Sequence, residues 1–205
     1  CYDKLRYDEA RKYWTKSAAC NISFPTVHRN LALVLFNKFN DKKRAKAELE
    51  ESFRLDTSDA RVFLELDQLY KKLGADVKKR FENFENYSSL FVQRDDLCVE
   101  YVTLLNLLGK HEDAYNFIMN RKFHPWEGAE GRVTTQYVKS LREMAKSEMK
   151  KKEYGKAAEL LQKALVFPAN LGEGKLEGEK DNDIHYLLGL CYKSLGRKAE
   201  AESAD

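Results

Sequence analysis

The amino-acid sequence predicts an all-α protein built as an α-solenoid of helical hairpins, and three observations carry that expectation. Alanine returns at a nearly constant interval, the composition favours helices, and glycine or proline stands where hairpins must turn. Across 205 residues, 43% are hydrophobic and 34% charged, with only 3 Pro and 10 Gly. Such a chain can bury a substantial interior, and its Ala, Leu, Lys and Glu content disfavours a fold of short strands joined by frequent turns.

The interval is set by Ala10, Ala45, Ala114, Ala157 and Ala201, and similar residues surround Ala10, Ala157 and Ala201. Ala10 to Ala45 spans 35 residues and Ala45 to Ala114 spans 69, two periods with Lys79 or its neighbour at the middle position. Ala114 to Ala157 spans 43 and Ala157 to Ala201 spans 44, one period each plus an insertion. A period near 34 is the length of one helix-turn-helix unit in which each hairpin completes the interior of its neighbour.

Leu188, Gly189, Tyr192, Gly196 and Ala201 carry the clearest unit: the small residues admit close helix approach, the large ones fill the space around it, and Gly196 turns the chain. This spacing resembles the tetratricopeptide repeat. Leu31, Ala32, Leu35, Ala45 and Leu49 repeat it, as do Phe63, Leu66, Tyr70 and Gly74, and Tyr101, Val102, Leu105, Gly109, Ala114 and Ile118. Three features depart from it: Asp67 stands where the repeat has Gly or Ala, Glu148 where it has an aromatic residue, and the segment around Phe81 and Phe84 lacks the small residue.

The expected organisation is a half unit at 1–20, hairpins at about 24–59, 60–94, 95–122 and 134–167, and an incomplete hairpin at 183–205. On this reading the chain is a fragment of a longer protein whose uncapped ends could self-associate. Inserted loops occupy 123–133 and 168–182. Both begin Phe followed within two residues by Pro, then run into Gly and Glu, which stops a helix and starts an irregular loop. Equivalent loops of adjacent units share an edge, so the two segments should be neighbours.

Three stretches are more specific than the repeat spacing: 59–74 (DARVFLELDQLYKKLG), 93–109 (QRDDLCVEYVTLLNLLG) with the loop FHPWEGAEGRV at 123–133, and 171–189 (LGEGKLEGEKDNDIHYLLG). They resemble the C-terminal tetratricopeptide region of a bacterial family with an N-terminal β-sandwich domain of unknown function. The resemblance implies the architecture, a right-handed solenoid, and carries over no catalytic residue. It also implies a sugar-related context, because that sandwich is similar to carbohydrate-active enzymes.

Charge and motif content exclude several classes. The 36 basic and 33 acidic residues leave a net charge of +3 spread along the chain, which gives no case for nucleic acid or membrane. Helical hairpins of this size also build RNA-reading arrays, yet near-neutral charge and uneven units argue against that reading. Cys1, Cys20, Cys98 and Cys191 form no CxxC pair, and His28, His111, His124 and His185 are scattered. No metal, cofactor or catalytic residue is therefore expected, and free cysteines suit a cytoplasmic location.

The leading functional expectation is a non-catalytic scaffold that binds a peptide or partner domain on the face made by the first helix of each hairpin. Its candidate lining residues are Arg61, Gln68, Lys71, Thr103, Asn106, Arg142, Lys146, Tyr186 and Lys193. The N-terminal domain implied by the resemblance is one candidate partner. In the loops, Phe123 and Trp126 either close a hydrophobic core or belong to a polar binding site with His124, Glu127, Glu130, Glu173 and Lys175. The alternative function is an accessory domain of a carbohydrate-processing enzyme, with these loops bordering a sugar site.

Overall fold

A computed structural model describes residues 4–20, 23–124 and 129–204. Among them every regular element is helical. The chain divides between Leu97 and Cys98 into two compact units.

The first unit holds α1 (Tyr7–Cys20), α2 (Pro25–Phe39), α3 (Lys42–Leu55), α4 (Ala60–Lys72) and α5 (Val77–Asn86), then a 3-10 segment (Ser88–Gln93) and the start of α6 (Asp95–Leu107). Local chemistry starts and stops each helix. Pro25 opens α2, where its missing N–H costs nothing. Carboxylates of Asp41, Asp59 and Asp76 cap α3, α4 and α5 by accepting backbone N–H bonds of 2.9–3.1 Å. Asn40 (φ 52°) ends α2 in the left-handed region.

Each helix of this unit packs on the next in sequence, α1 on α2, α2 on α3 and α3 on α4. Leu31, Val34, Leu35 and Ala45 form a buried cluster with Tyr7, Trp14, Phe36 and Phe39 around it. Farther along, Phe53, Phe63, Phe84, Tyr87 and Phe91 interlock with ring centroids 4.8–5.6 Å apart. The 3-10 segment seats Leu90 and Phe91 in that interior, both buried.

The departures at Asp67 and around Phe81 have one joint explanation. Asp67 and Arg80 are each 3% exposed and form a two-pronged ion pair, Nε to Oδ1 at 2.8 Å and Nη2 to Oδ2 at 2.7 Å. A buried acid–base pair thus stands in this hairpin where small residues stand in the others.

The second unit carries the rest of α6, then α7 (His111–Met119), α8 (Arg132–Lys150), α9 (Tyr154–Ala164), a 3-10 turn (Ala169–Leu171), α10 (Asn182–Ser194) and α11 (Lys198–Ala204). Sequential packing holds here too: α7 meets α8, α8 meets α9, α9 meets α10 and α10 meets α11. Ala114, Ala145 and Ala157 are fully buried, as small residues at a close helix approach must be. Tyr137 lies in the same interior and donates its hydroxyl to the Lys163 carbonyl at 3.1 Å.

Candidate ligand-binding surfaces

Within the second unit a cleft of about 430 Å3 runs beside α8. Thr134, Thr135, Val138, Lys139 and Arg142 form one wall, and Phe167 with residues 179–183 forms the other. Helical spacing brings Thr135, Lys139, Arg142 and Lys146 to one flank of α8, since residues three and four apart are neighbours. Arg142 bonds Glu143 at 3.2 Å and pairs with Asp183 at the start of α10; Lys146 bonds Glu143 at 2.8 Å. Burial alone would raise the Glu143 carboxyl, but its bonds from Lys146 and Arg142 outweigh that and hold it below the ordinary range.

Lys139 and Lys180, on opposite walls, make no ion pair among the described residues, and Lys139 stands beside a fixed acid–base network. On α10, Tyr186 is 62% exposed and Leu190, one turn on, is 37% exposed. Lys193 is exposed as well. An open cleft with Phe167, Val138 and Lys139 on its walls can hold an extended polar chain.

The first unit has a smaller cleft of about 130 Å3 on the corresponding helices. Leu33, Phe36 and Asn37 of α2 face Glu65, Gln68 and Lys72 of α4. Glu65 is fully engaged: Arg29 bonds both its oxygens, Nε at 2.6 Å, and Arg61 approaches Oε1 at 3.2 Å. Gln68 lines this cleft, Arg61 is exposed beside it, and Lys71 is exposed but not among the lining residues.

Two expected lining residues of the second unit are engaged internally, Thr103 half-buried and Asn106 buried. Thr103 bonds its hydroxyl back to the Val99 carbonyl at 2.7 Å. Asn106 is 3% exposed; its Oδ1 accepts from Ser140 Oγ at 3.1 Å and pairs with His111 Nδ1 at 2.9 Å, while its Nδ2 donates to Gln136. Asn106 is thus the hub of an internal polar network. Burial pushes the His111 imidazole down, which favours a neutral ring whose Nδ1–H donates to Asn106.

The inserted loops do meet. Phe123 N–H donates to the Asn170 carbonyl at 2.8 Å, and Asn170 Nδ2 donates to the carbonyls of Ile118 and Arg121. Glu173 then does for α8 what a local side chain would normally do. Gly131, the residue before that helix, has no side chain to cap it and sits at φ 76°. Glu173 accepts instead from the N–H groups of Gly131, Val133 and Thr134 at 2.8–3.2 Å.

The loop residues consequently divide. Phe123 is 1% exposed and belongs to the core. Glu173 is committed to the helix start, and Lys175 pairs with Asp181. His124 and Glu130 are exposed. Trp126 and Glu127 lie outside the described residues. Sequence reasoning missed Thr135, Val138, Lys139, Phe167 and Asp183; the signal for the α8 residues was available, because they lie within a turn or two of Arg142.

Among the described residues no three His, Cys, Asp or Glu side chains gather as a metal site, and no helix is long and apolar enough to cross a membrane. No protein-family model matches the chain. Solved structures do share its fold. The tetratricopeptide protein YrrB, whose crystal structure is described as having an unusual peptide-binding site, aligns with a TM-score of 0.56 at 19% identity over 93% of this chain and 88% of that one. A MamA protein aligns at 0.53 and 14% identity, covering 88% and 87%. MamA from Desulfovibrio magneticus RS-1 aligns at 0.51 and 15%, covering 88% and 90%. The fold is therefore an all-α one of the tetratricopeptide type.

Proposed function

We propose that the chain is a non-catalytic protein-interaction scaffold that receives an extended segment of a partner protein along the first helices of its hairpins. The observation that carries this reading is the cleft beside α8, open, mixed in polarity and bordered by Lys139. The peptide-binding description of YrrB, a protein of like fold, supports it by analogy. Mixed polar lining suits main-chain hydrogen bonding with side-chain selection, and Lys139 gives preference to an acidic residue in the bound segment.

Of the loop residues weighed for the sugar-site alternative, Glu173 has its carboxylate committed to three backbone donors, and Trp126 and Glu127 lie outside the described residues. A peptide selected from a random displayed library against the intact chain provides the test. Its affinity, measured by calorimetry, should fall about 5- to 30-fold in Lys139→Glu or Tyr186→Ala, the range expected for losing 1–2 kcal/mol at an anchoring contact. It should be unchanged in Glu159→Ala, on the second helix α9. Equal affinity for all three variants would remove the first-helix surface from consideration.

A further inference from the structure

The first unit contains a second cavity, on the opposite flank of α4 from the cleft shared with α2. It measures about 250 Å3 and is lined by Phe53, Phe63, Tyr70 and Tyr87, with Leu66, Asn83, Glu50, Asp67 and Arg54 among the remaining residues, the last of these held by Glu51 at 2.7 Å. That volume is below the usual range for drug-sized ligands and matches a single compact group.

Its aromatic lining is fixed. Phe53 lies edge-on to Tyr87 at 4.8 Å, and Phe63 is 5.3 Å from Phe53 and 5.6 Å from Tyr87. Tyr70 is held at the rim by a 2.7 Å hydrogen bond from its hydroxyl to Glu50 Oε1. Burial pushes the Tyr70 phenol above its ordinary range, and its bond to Glu50 and the fields of Glu50 and Asp67 push the same way. The rim also attracts an ammonium already: Lys46 Nζ lies 5.6 Å from the Tyr70 ring centroid and 3.6 Å from Glu50 Oε1.

We propose that this aromatic cavity binds a quaternary ammonium group, with the rings of Phe53, Phe63, Tyr70 and Tyr87 around it and Glu50 as the counter-charge. A primary ammonium needs three acceptors that a mostly apolar cavity lacks. A methylated one needs none and gains from ring faces and a nearby carboxylate. Lys46 acts as the resident competitor at the rim. The group could be carried by a small choline-like molecule or by a trimethylated lysine of a partner protein.

The test pairs choline with its uncharged isostere 3,3-dimethylbutan-1-ol, titrated into the intact chain while amide resonances of residues 50–57, 63–70 and 83–87 are followed. Choline should bind about 5- to 30-fold more tightly than the neutral isostere, the cation–π range expressed as a ratio. Glu50→Gln, which retains an acceptor for Tyr70, should weaken choline and leave the alcohol unaffected; Lys46→Met should tighten choline alone. A trimethyllysine peptide binding more tightly than choline would support the site with a protein as source, and equal binding would support a free small molecule. Equal or stronger binding of the alcohol, or no shift at these residues, would overturn the proposal.

Discussion

Asp67 illustrates how much a single position can hide. Its sequence context reads as a lapse in the repeat, because a carboxylate replaces the small residue that lets two helices approach. The lapse is half of a buried pair, and its other half, Arg80, falls at the return-helix position where alanine stands in neighbouring hairpins. Removing one partner strips the other of its two-pronged ion pair inside the core. Asp67→Ala should therefore cost about 3–5 kcal/mol in urea unfolding, whereas Asp67→Ala with Arg80→Leu should recover most of that loss. Tyr137 makes a second residue-scale prediction. Burial pushes its phenol up to about 12, from 10 in an unfolded chain. Both states are neutral below pH 10, and above it the unfolded chain ionises first. Its contribution to stability should accordingly disappear between pH 10 and 12, and Tyr137→Phe should lose less over that window when unfolding is followed against pH.

The signals that set the helix boundaries are local, an aspartate before α3, α4 and α5, a proline at the head of α2 and a glycine after α10, and of them the sequence reading used the glycine. The start of α8 was not legible, since its cap comes from Glu173, about forty residues on. No periodicity announces a carboxylate that arrives through space, and in the sequence Glu173 looked available for a ligand. Glu173→Ala should destabilise the protein by about 1–2 kcal/mol and speed amide exchange at Gly131, Val133 and Thr134, with little change at the start of α9. Gly131 is constrained from two sides, by its positive φ and by Leu176 packed against the space a β-carbon would occupy. Lys152 shows the reverse situation. It ends α8 at φ 64°, a conformation glycine adopts without penalty, so Lys152→Gly should raise stability by about 0.5–1 kcal/mol in chemical denaturation.

At the scale of the whole chain, recurrence at one interval was enough to reach the fold class, because hairpins that complete one another's interiors must repeat their small and large residues in step. Alanines at 45, 114 and 157 are all fully buried. The binding surface was less legible, for a physical reason: facing outward in a repeat pattern does not distinguish a side chain offered to a ligand from one engaged by its neighbours. Asn106 matched the spacing yet turns inward to His111 and Ser140, while Lys139 was passed over and makes no ion pair among the described residues. The account stands on recognition by the first helices. A benzoylphenylalanine placed at position 135 on α8, or at position 159 on α9, and irradiated with a library-selected peptide tests this directly. Cross-linking from 135 with none from 159 is the expected result, and cross-linking from 159 alone would contradict it.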